Sequence, residues 1–316
     1  MRKEEKEMCR RISTKGLERE EWLRLRKQGI GGSDAGAIAG LNPYCSPMKV
    51  YLDKISPEFD GQDSEAMRVG RDLEEYTAMR FTEATGLKVR RSNYMYQSMS
   101  HPFMIADVDR LIVGEDAGLE CKTCSAFHSD QWKDGNVPIH YLIQVIHYMA
   151  VTGRKAWYIA VLILGVGFQY VKIERDEEMI RDLVGIESEF WNGHVIPRVM
   201  PSPDGSDSCS KVLGKIFERA KKGEAIPLVG FDGKLERREE LERMIDEMET
   251  EKKKIDQELK LFLGDHEAAF NERYRVTWSN VDSARLDTGK LKEEQPEVYK
   301  NYEKISTYRR LQVRAA

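Results

Sequence analysis

The chain has 316 residues, 41% hydrophobic and 9% aromatic, which is enough to bury a core and excludes both wholesale disorder and a disulfide-stapled miniprotein. Its 50 Lys and Arg stand against 54 Asp and Glu, a net charge of −4 that excludes the uniformly basic surface of a histone-like binder. Any contact with nucleic acid must therefore be local. Residues 1–36 and residues 271–316 each hold ten Lys/Arg against seven Asp/Glu, so the ends are basic and the middle is acidic.

In chain order, Glu20–Gly29 predicts a helix with Trp22, Leu25 and the stem of Arg26 on neighbouring faces and a glycine at its end. The glycine-rich run Ile30–Gly40 allows close backbone approach, and Ser33-Asp34 suits the N-cap of a helix starting at Ala35. Pro43, Pro47 and Pro57 punctuate short segments before a helix over Glu65–Thr85 that contains Glu74 and Glu75. Strands are predicted at Leu87–Val89, Tyr94–Gln97, Phe103–Ala106, Arg110–Val113 and Gly118–Lys122, together reading as a meander. A helix over Ile139–Val151, strands at Trp157–Leu164 and Phe168–Ile173, and a helix over Glu177–Phe190 follow. Strands followed by packed helices make an α+β or mixed α/β core.

The Pro-, Gly- and Ser-rich segment Pro197–Ser210 is the best linker, so the expected domains are 1–200 and a C-terminal extension, 201–316. In the extension, Leu241, Ile245, Met248, Ile255, Leu259 and Phe262 fall at spacings of 4, 3, 7, 4 and 3, a heptad seam interrupted only by Lys252. This predicts a helical hairpin arm or short coiled coil. A strand from Tyr274, a helix including Leu291–Tyr302 and a basic tail ending YRRLQVR complete the chain. The tail suits either backbone binding to nucleic acid with aromatic stacking or an edge strand with basic gatekeepers.

Chemistry concentrates at Asp109 and the triplet Glu120-Cys121-Lys122. Side chains alternate along a strand, so Glu120 and Lys122 share one face and Cys121 takes the other. Two carboxylates beside an ammonium suit a hard divalent cation such as Mg²⁺, which draws charge from a phosphate oxygen and lowers the pKa of water, while the lysine orients that water or steadies developing charge. Hydrolysis of a phosphodiester is the reaction this supports. A solvent-facing strand of alternating charge carries the same triplet, but Ile105-Ala106, Leu111-Ile112 and Leu119 give these charges apolar surroundings where ions are costly unless paired or metal-bound.

Asp109, the ExK of Glu120 and Lys122, Glu74 in GRDLEEYTAMRF, and Gln144 with Tyr148 in QVIHY together resemble the PD-(D/E)XK nuclease superfamily, and within it the YqaJ-like viral recombinase group that includes lambda-type alkaline exonucleases. The resemblance extends over roughly residues 20–190. It implies a PD-(D/E)XK core with a central mixed sheet flanked by helices, and a Mg²⁺-dependent enzyme, with Mn²⁺ able to substitute, that degrades linear duplex DNA 5′-to-3′ and leaves 3′ overhangs for recombination by strand annealing. Asp109, Glu120 and Glu74 become metal ligands, and Lys122 the catalytic lysine. Arg26 and Ser33 take the 5′-phosphate, and Gln144 with Tyr148, beside the catalytic sheet, binds the DNA backbone or orders the active-site lysine. Implied partners are duplex DNA ends, a single-strand annealing protein and other copies of the chain in a trimeric ring, in the cytoplasm of a bacterial host, with a phage or prophage origin. Val108 replaces the namesake proline, and Asp107, on the same strand face as Asp109, leaves an exchange of ligand roles open. An endonuclease or single-strand nuclease on the same core, or a non-catalytic DNA-end-binding module, are the alternatives.

Five cysteines, an odd number, with no signal-peptide pattern over Met1–Arg11, point to free thiols in a reducing cytosol. Cys121 and Cys124 form a lone CxxC that Cys9, Cys45 and Cys209 do not complete, so no iron–sulfur cluster is expected. The most apolar run, Ala156–Phe168, is shorter than the roughly 18 residues of a membrane span.

Overall fold

The computed structural model describes residues 8–57 and 64–314; the first seven residues of the segment read for a signal peptide lie outside them. The chain divides into two compact units, Met1–Phe217 and Glu218–Ala316. The first runs β1 (Cys9–Ser13), α1 (Arg19–Lys27), α2 (Gly32–Ile38), α3 (Pro47–Ile55), α4 (Glu65–Thr85), β2 (Val89–Arg91), β3 (Tyr94–Ser98), β4 (Ile105–Asp107), β5 (Arg110–Ile112), β6 (Ala117–Cys124), α5 (Ile139–Thr152), β7 (Ala156–Ile163), β8 (Gly167–Glu174), α6 (Glu177–Phe190) and α7 (Asp207–Ile216).

The central sheet has the order β2-β5-β6-β7-β8. Only β6 and β7 pair in parallel, joined by the crossover through α5; the other pairs are antiparallel. Alternation along β6 and β7 splits their side chains between two layers. Ala117, Leu119, Ala156, Tyr158 and Ala160 pack with Ala78 and Phe81 of α4. Trp157, Ile159 and Val161 pack on the opposite side with Val145, Ile146 and Met149 of α5. Gly118 faces that second layer, where an added Cβ would lie 2.2 Å from the Trp157 indole, so the close approach of the two central strands there requires glycine. The result is a mixed sheet flanked by helices.

The predicted meander is not one sheet. β3 and β4 leave it and pair with β1 in a second sheet of order β1-β3-β4. The turn between them closes with Ser98 N donating to Met104 O at 3.0 Å and Met104 N to His101 O at 2.8 Å. The N-terminal strand escaped sequence reading because only Cys9 of its five residues is buried. Two short helices were missed as well. In α3, Ser46 caps the first turn by accepting from Lys49 N at 3.2 Å with Pro47 at the first helical position, a start signal hidden among three prolines. α7 begins at the far end of the predicted linker, and its Cys209 and Val212 pack on Met48 of α3. The first unit therefore runs to Phe217 rather than ending near residue 200.

The second unit contains α8 (Asp232–Leu263), the antiparallel pair β9 (Ala268–Phe270) and β10 (Arg275–Thr277), α9 (Thr288–Glu294) and α10 (Pro296–Tyr302). Of the two expected forms, a helical hairpin arm or a short coiled coil, the hairpin is not formed: α8 is one continuous helix of 32 residues. The helix expected across Leu291–Tyr302 is broken before Pro296, which cannot continue the preceding turn. Residues 303–314 form neither helix nor strand. Among the described residues no helix is long and apolar enough to cross a membrane.

Candidate active site

Because β6 places Ala117, Leu119 and Cys121 toward α4, Glu120 and Lys122 project toward α5. One turn of α5 separates Gln144 from Tyr148, and both meet the strand residues. Lys122 Nζ donates to Glu120 Oε1 at 2.6 Å and to Gln144 Oε1 at 3.0 Å. Gln144 Nε2 donates to Glu120 Oε1 at 2.6 Å and to the Tyr148 hydroxyl at 2.8 Å. Gln144 thus fixes both the acid and the lysine. The ring of Tyr141, stacked on buried Trp132, lies 4.5 Å below the ammonium. Asp109 enters from the turn between β4 and β5, and its Oδ2 accepts from Cys121 N at 2.8 Å, which ties the two acidic strands together.

A second group of residues faces the same cleft. Trp22 Nε1 on α1 donates to Asp107 Oδ2 at 2.9 Å, Arg26 stacks on the Trp22 ring at 4.9 Å, and Arg26 Nη2 donates to Ser33 Oγ at 2.8 Å. Asp34 holds this loop by accepting from Gly31 N at 2.9 Å and from buried Lys54 at 2.7 Å. Lys54 also donates to the Arg26 carbonyl at 3.1 Å. Gly32 lets the loop lie against α5: an added Cβ would sit 2.5 Å from Tyr148 Cε1. Arg26, Ser33, Asp107, Asp109, Glu120, Gln144 and Tyr148 all line one cleft of about 150 Å³.

The electrostatics are those of carboxylates crowded without enough positive charge. Burial, then the Glu120 and Glu74 carboxylates, hold the Asp109 pKa well above its usual value. Burial also raises that of Asp107, against the Trp22 hydrogen bond and Arg26. Burial alone would lower the Lys122 pKa, but Glu120 and Asp109 outweigh it and raise it, so the side chain is a cation across the neutral range. Glu120 Oε2 is buried and has no hydrogen-bond partner among the described residues.

Glu74 does not line this cleft, though its charge is felt at Asp109. It pairs with Arg110, a buried guanidinium that also binds Glu75 at 3.0 Å and donates to the Asp109 carbonyl at 2.8 Å. Glu75 pairs in addition with Arg91 at 2.7 Å. Glu74 and Glu75, one step apart on the helix, therefore both turn toward Arg110. Arg110 carried one sequence signal, a cation next to Asp109 in an apolar run. The Trp22–Asp107 contact, between residues 85 positions apart, carried none.

Among the described residues, no group of three or more His, Cys, Asp or Glu is gathered as a metal site. Asp109 and Glu120, with Asp107 beside them, offer an all-oxygen donor set containing one unpartnered buried oxygen. That set fits Mg²⁺, which takes few protein oxygens and completes its shell with water and substrate oxygens.

A central mixed sheet with an acid entering one strand and Glu-x-Lys on its neighbour defines the PD-(D/E)XK class, here with Val108 before the first acid. The model of the YqaJ-like viral recombinase domain matches residues 21–155. "Uncharacterized protein YqaJ" of Bacillus subtilis (strain 168) is 38% identical over 304 residues, covering 94% of this chain and 95% of that protein. The chain belongs to the YqaJ-like viral recombinase family. It is also similar to the crystal structure of the alkaline exonuclease LHK-Exo from Laribacter hongkongensis, at 20% identity and a TM-score of 0.48 over 55% of this chain and 91% of that one. A putative exonuclease from Eubacterium rectale, 16% identical, matches 68% of this chain and 97% of its own with a TM-score of 0.43.

Proposed function

We propose that the chain is a Mg²⁺-dependent DNA exonuclease that enters linear duplex at a 5′ end, degrades that strand 5′-to-3′ and leaves a 3′ overhang for strand annealing. Membership of a viral recombinase family supports a DNA exonuclease. The observation that carries the finer reading is the single cleft in which Arg26 and Ser33 lie beside Asp109 and Glu120, with Lys122 hydrogen-bonded to Glu120 and Gln144 of its lining. An anion site next to a hydrolytic site suits a substrate held by its terminal phosphate.

In this reading Asp109 and Glu120, with Glu74 as a further carboxylate, would hold Mg²⁺, which would supply Lewis-acid polarisation of the scissile phosphate. Lys122 orients the attacking water or donates hydrogen bonds to the charge that grows on the phosphate oxygens. Gln144 fixes the Lys122 ammonium and the Glu120 carboxylate in register. Arg26 offers a guanidinium, and Ser33 a hydroxyl, to the 5′-phosphate. The proposed partners are duplex DNA ends, an annealing protein that receives the overhang, and further copies of the chain in a ring around the duplex.

The test is degradation of labelled linear duplex bearing a 5′-phosphate or a 5′-hydroxyl, beside a covalently closed circle, with Mg²⁺ or with EDTA. The linear phosphorylated duplex is expected to lose mononucleotides from its 5′ end only with the metal, and the circle to stay intact. Arg26→Ala is expected to reduce the preference for the 5′-phosphate about tenfold or more, the loss of a charge-assisted phosphate contact. Cleavage of the circle, or degradation in EDTA, would overturn the reading.

A further inference from the structure

Six large apolar side chains on α8, Leu241, Ile245, Met248, Ile255, Leu259 and Phe262, are 38–80% exposed, and among the described residues of their own unit nothing buries them. They recur at heptad spacing, which places Ile245, Lys252 and Leu259 at the a positions and Leu241, Met248, Ile255 and Phe262 at d. At about 1.5 Å per residue the helix is long enough to present this seam as one continuous stripe.

The flanks of the seam decide what fits it. Between Leu241 and Phe262 the e and g positions are Glu242, Met244, Glu249, Glu251, Asp256 and Glu258, acidic at all but one and nowhere basic. The basic residues of the same stretch other than Lys252, namely Arg243, Lys253, Lys254 and Lys260, fall at b, c and f on the outward face. Two parallel copies would set Glu251 against Asp256, and two antiparallel copies would set the acidic e rows against each other, like charges in either case. The acidic flanks repel a nucleic-acid backbone as well.

We infer that α8 is a docking helix for another protein: a partner helix with an apolar heptad seam, Lys or Arg along both flanks, and an acidic residue facing Lys252. This surface lies outside the cleft, and the inference stands without the nuclease reading.

The probes are two synthetic heptad peptides with Ile at a and Leu at d, one carrying Lys at e and g and its twin carrying Glu there, titrated into the full chain by fluorescence anisotropy. The basic peptide is expected to bind about tenfold tighter or more than the acidic twin, with the difference shrinking as salt rises. Ile255→Asp is expected to abolish binding. Replacing Glu242, Glu249, Glu251, Asp256 and Glu258 together with Lys is expected to invert the preference while helical circular dichroism is retained. Equal affinity for the two peptides, or no binding of the basic one, would overturn the inference. So would sedimentation of the full chain as an oligomer that Ile255→Asp dissociates, which would make a second copy the occupant.

Discussion

Lys122→Ala is expected to lower the rate of strand degradation by about 10³-fold while the affinity for duplex ends changes little, the loss typical of removing one donor at developing charge. The side chain is 17% exposed and held by Glu120, Gln144 and the Tyr141 ring, so it spends no conformational freedom on reaching a substrate. An interaction made only as charge develops lowers kcat and kcat/KM together, whereas a binding contact raises KM alone. Single-turnover degradation measured against duplex concentration separates the two cases. A raised KM with unchanged kcat would show that Lys122 grips DNA and does not assist the chemistry. Glu120→Gln should reduce the rate at least as far, since it weakens the oxygen donor set and replaces the acceptor of two hydrogen bonds.

His147→Leu is expected to destabilise the fold by about 3–5 kcal/mol, the usual effect of leaving a buried charge without its partner. His147 and Glu187 are both fully buried and meet at 2.7 Å between α5 and α6, while His147 Nε2 donates to the Ile105 carbonyl of β4 at 2.8 Å. Burial alone would lower the His147 pKa, but Glu187 outweighs it and raises the pKa above the ordinary value. A histidine whose folded pKa is raised stabilises fully below its unfolded value of about 6.5, and that contribution is lost as pH rises through the folded value. Burial likewise raises the Glu187 pKa, so denaturant unfolding should give wild type its largest margin over a variant with leucine at both positions near about pH 6, and a smaller one in alkaline buffer. Leucine at both positions should recover most of the loss, because apolar isosteres of a buried pair are often nearly neutral. A margin that does not change with pH would show that the pair carries no charge in the fold.

Much of the site follows from two periodicities. The two-residue repeat of a strand puts Glu120 and Lys122 on one face of β6 and Cys121 on the other, and the one-turn spacing of a helix aligns Gln144 with Tyr148. These are local geometries, legible wherever the element itself is. What depends on tertiary partners was not legible. A helical carboxylate such as Glu74 reads the same whether it faces a metal ion or a guanidinium, and its pairing with buried Arg110 is a tertiary contact. β3 and β4 have ordinary strand patterns, and nothing local to them says that β1, about 90 residues earlier than their turn, completes their sheet. The heptad of α8 was visible, but whether a second segment of the same chain folds back on it is a question of pairing that periodicity does not answer.

The most direct measurement is anomalous diffraction from crystals of the full chain soaked with Mn²⁺ in place of Mg²⁺. The account predicts a Mn²⁺ peak bonded to carboxylate oxygens of both Asp109 and Glu120, within about 2.0–2.3 Å, and absent from the Glu120→Gln protein. A wild-type crystal in which Mn²⁺ avoids these two residues, from protein that degrades DNA under the same conditions, would contradict it.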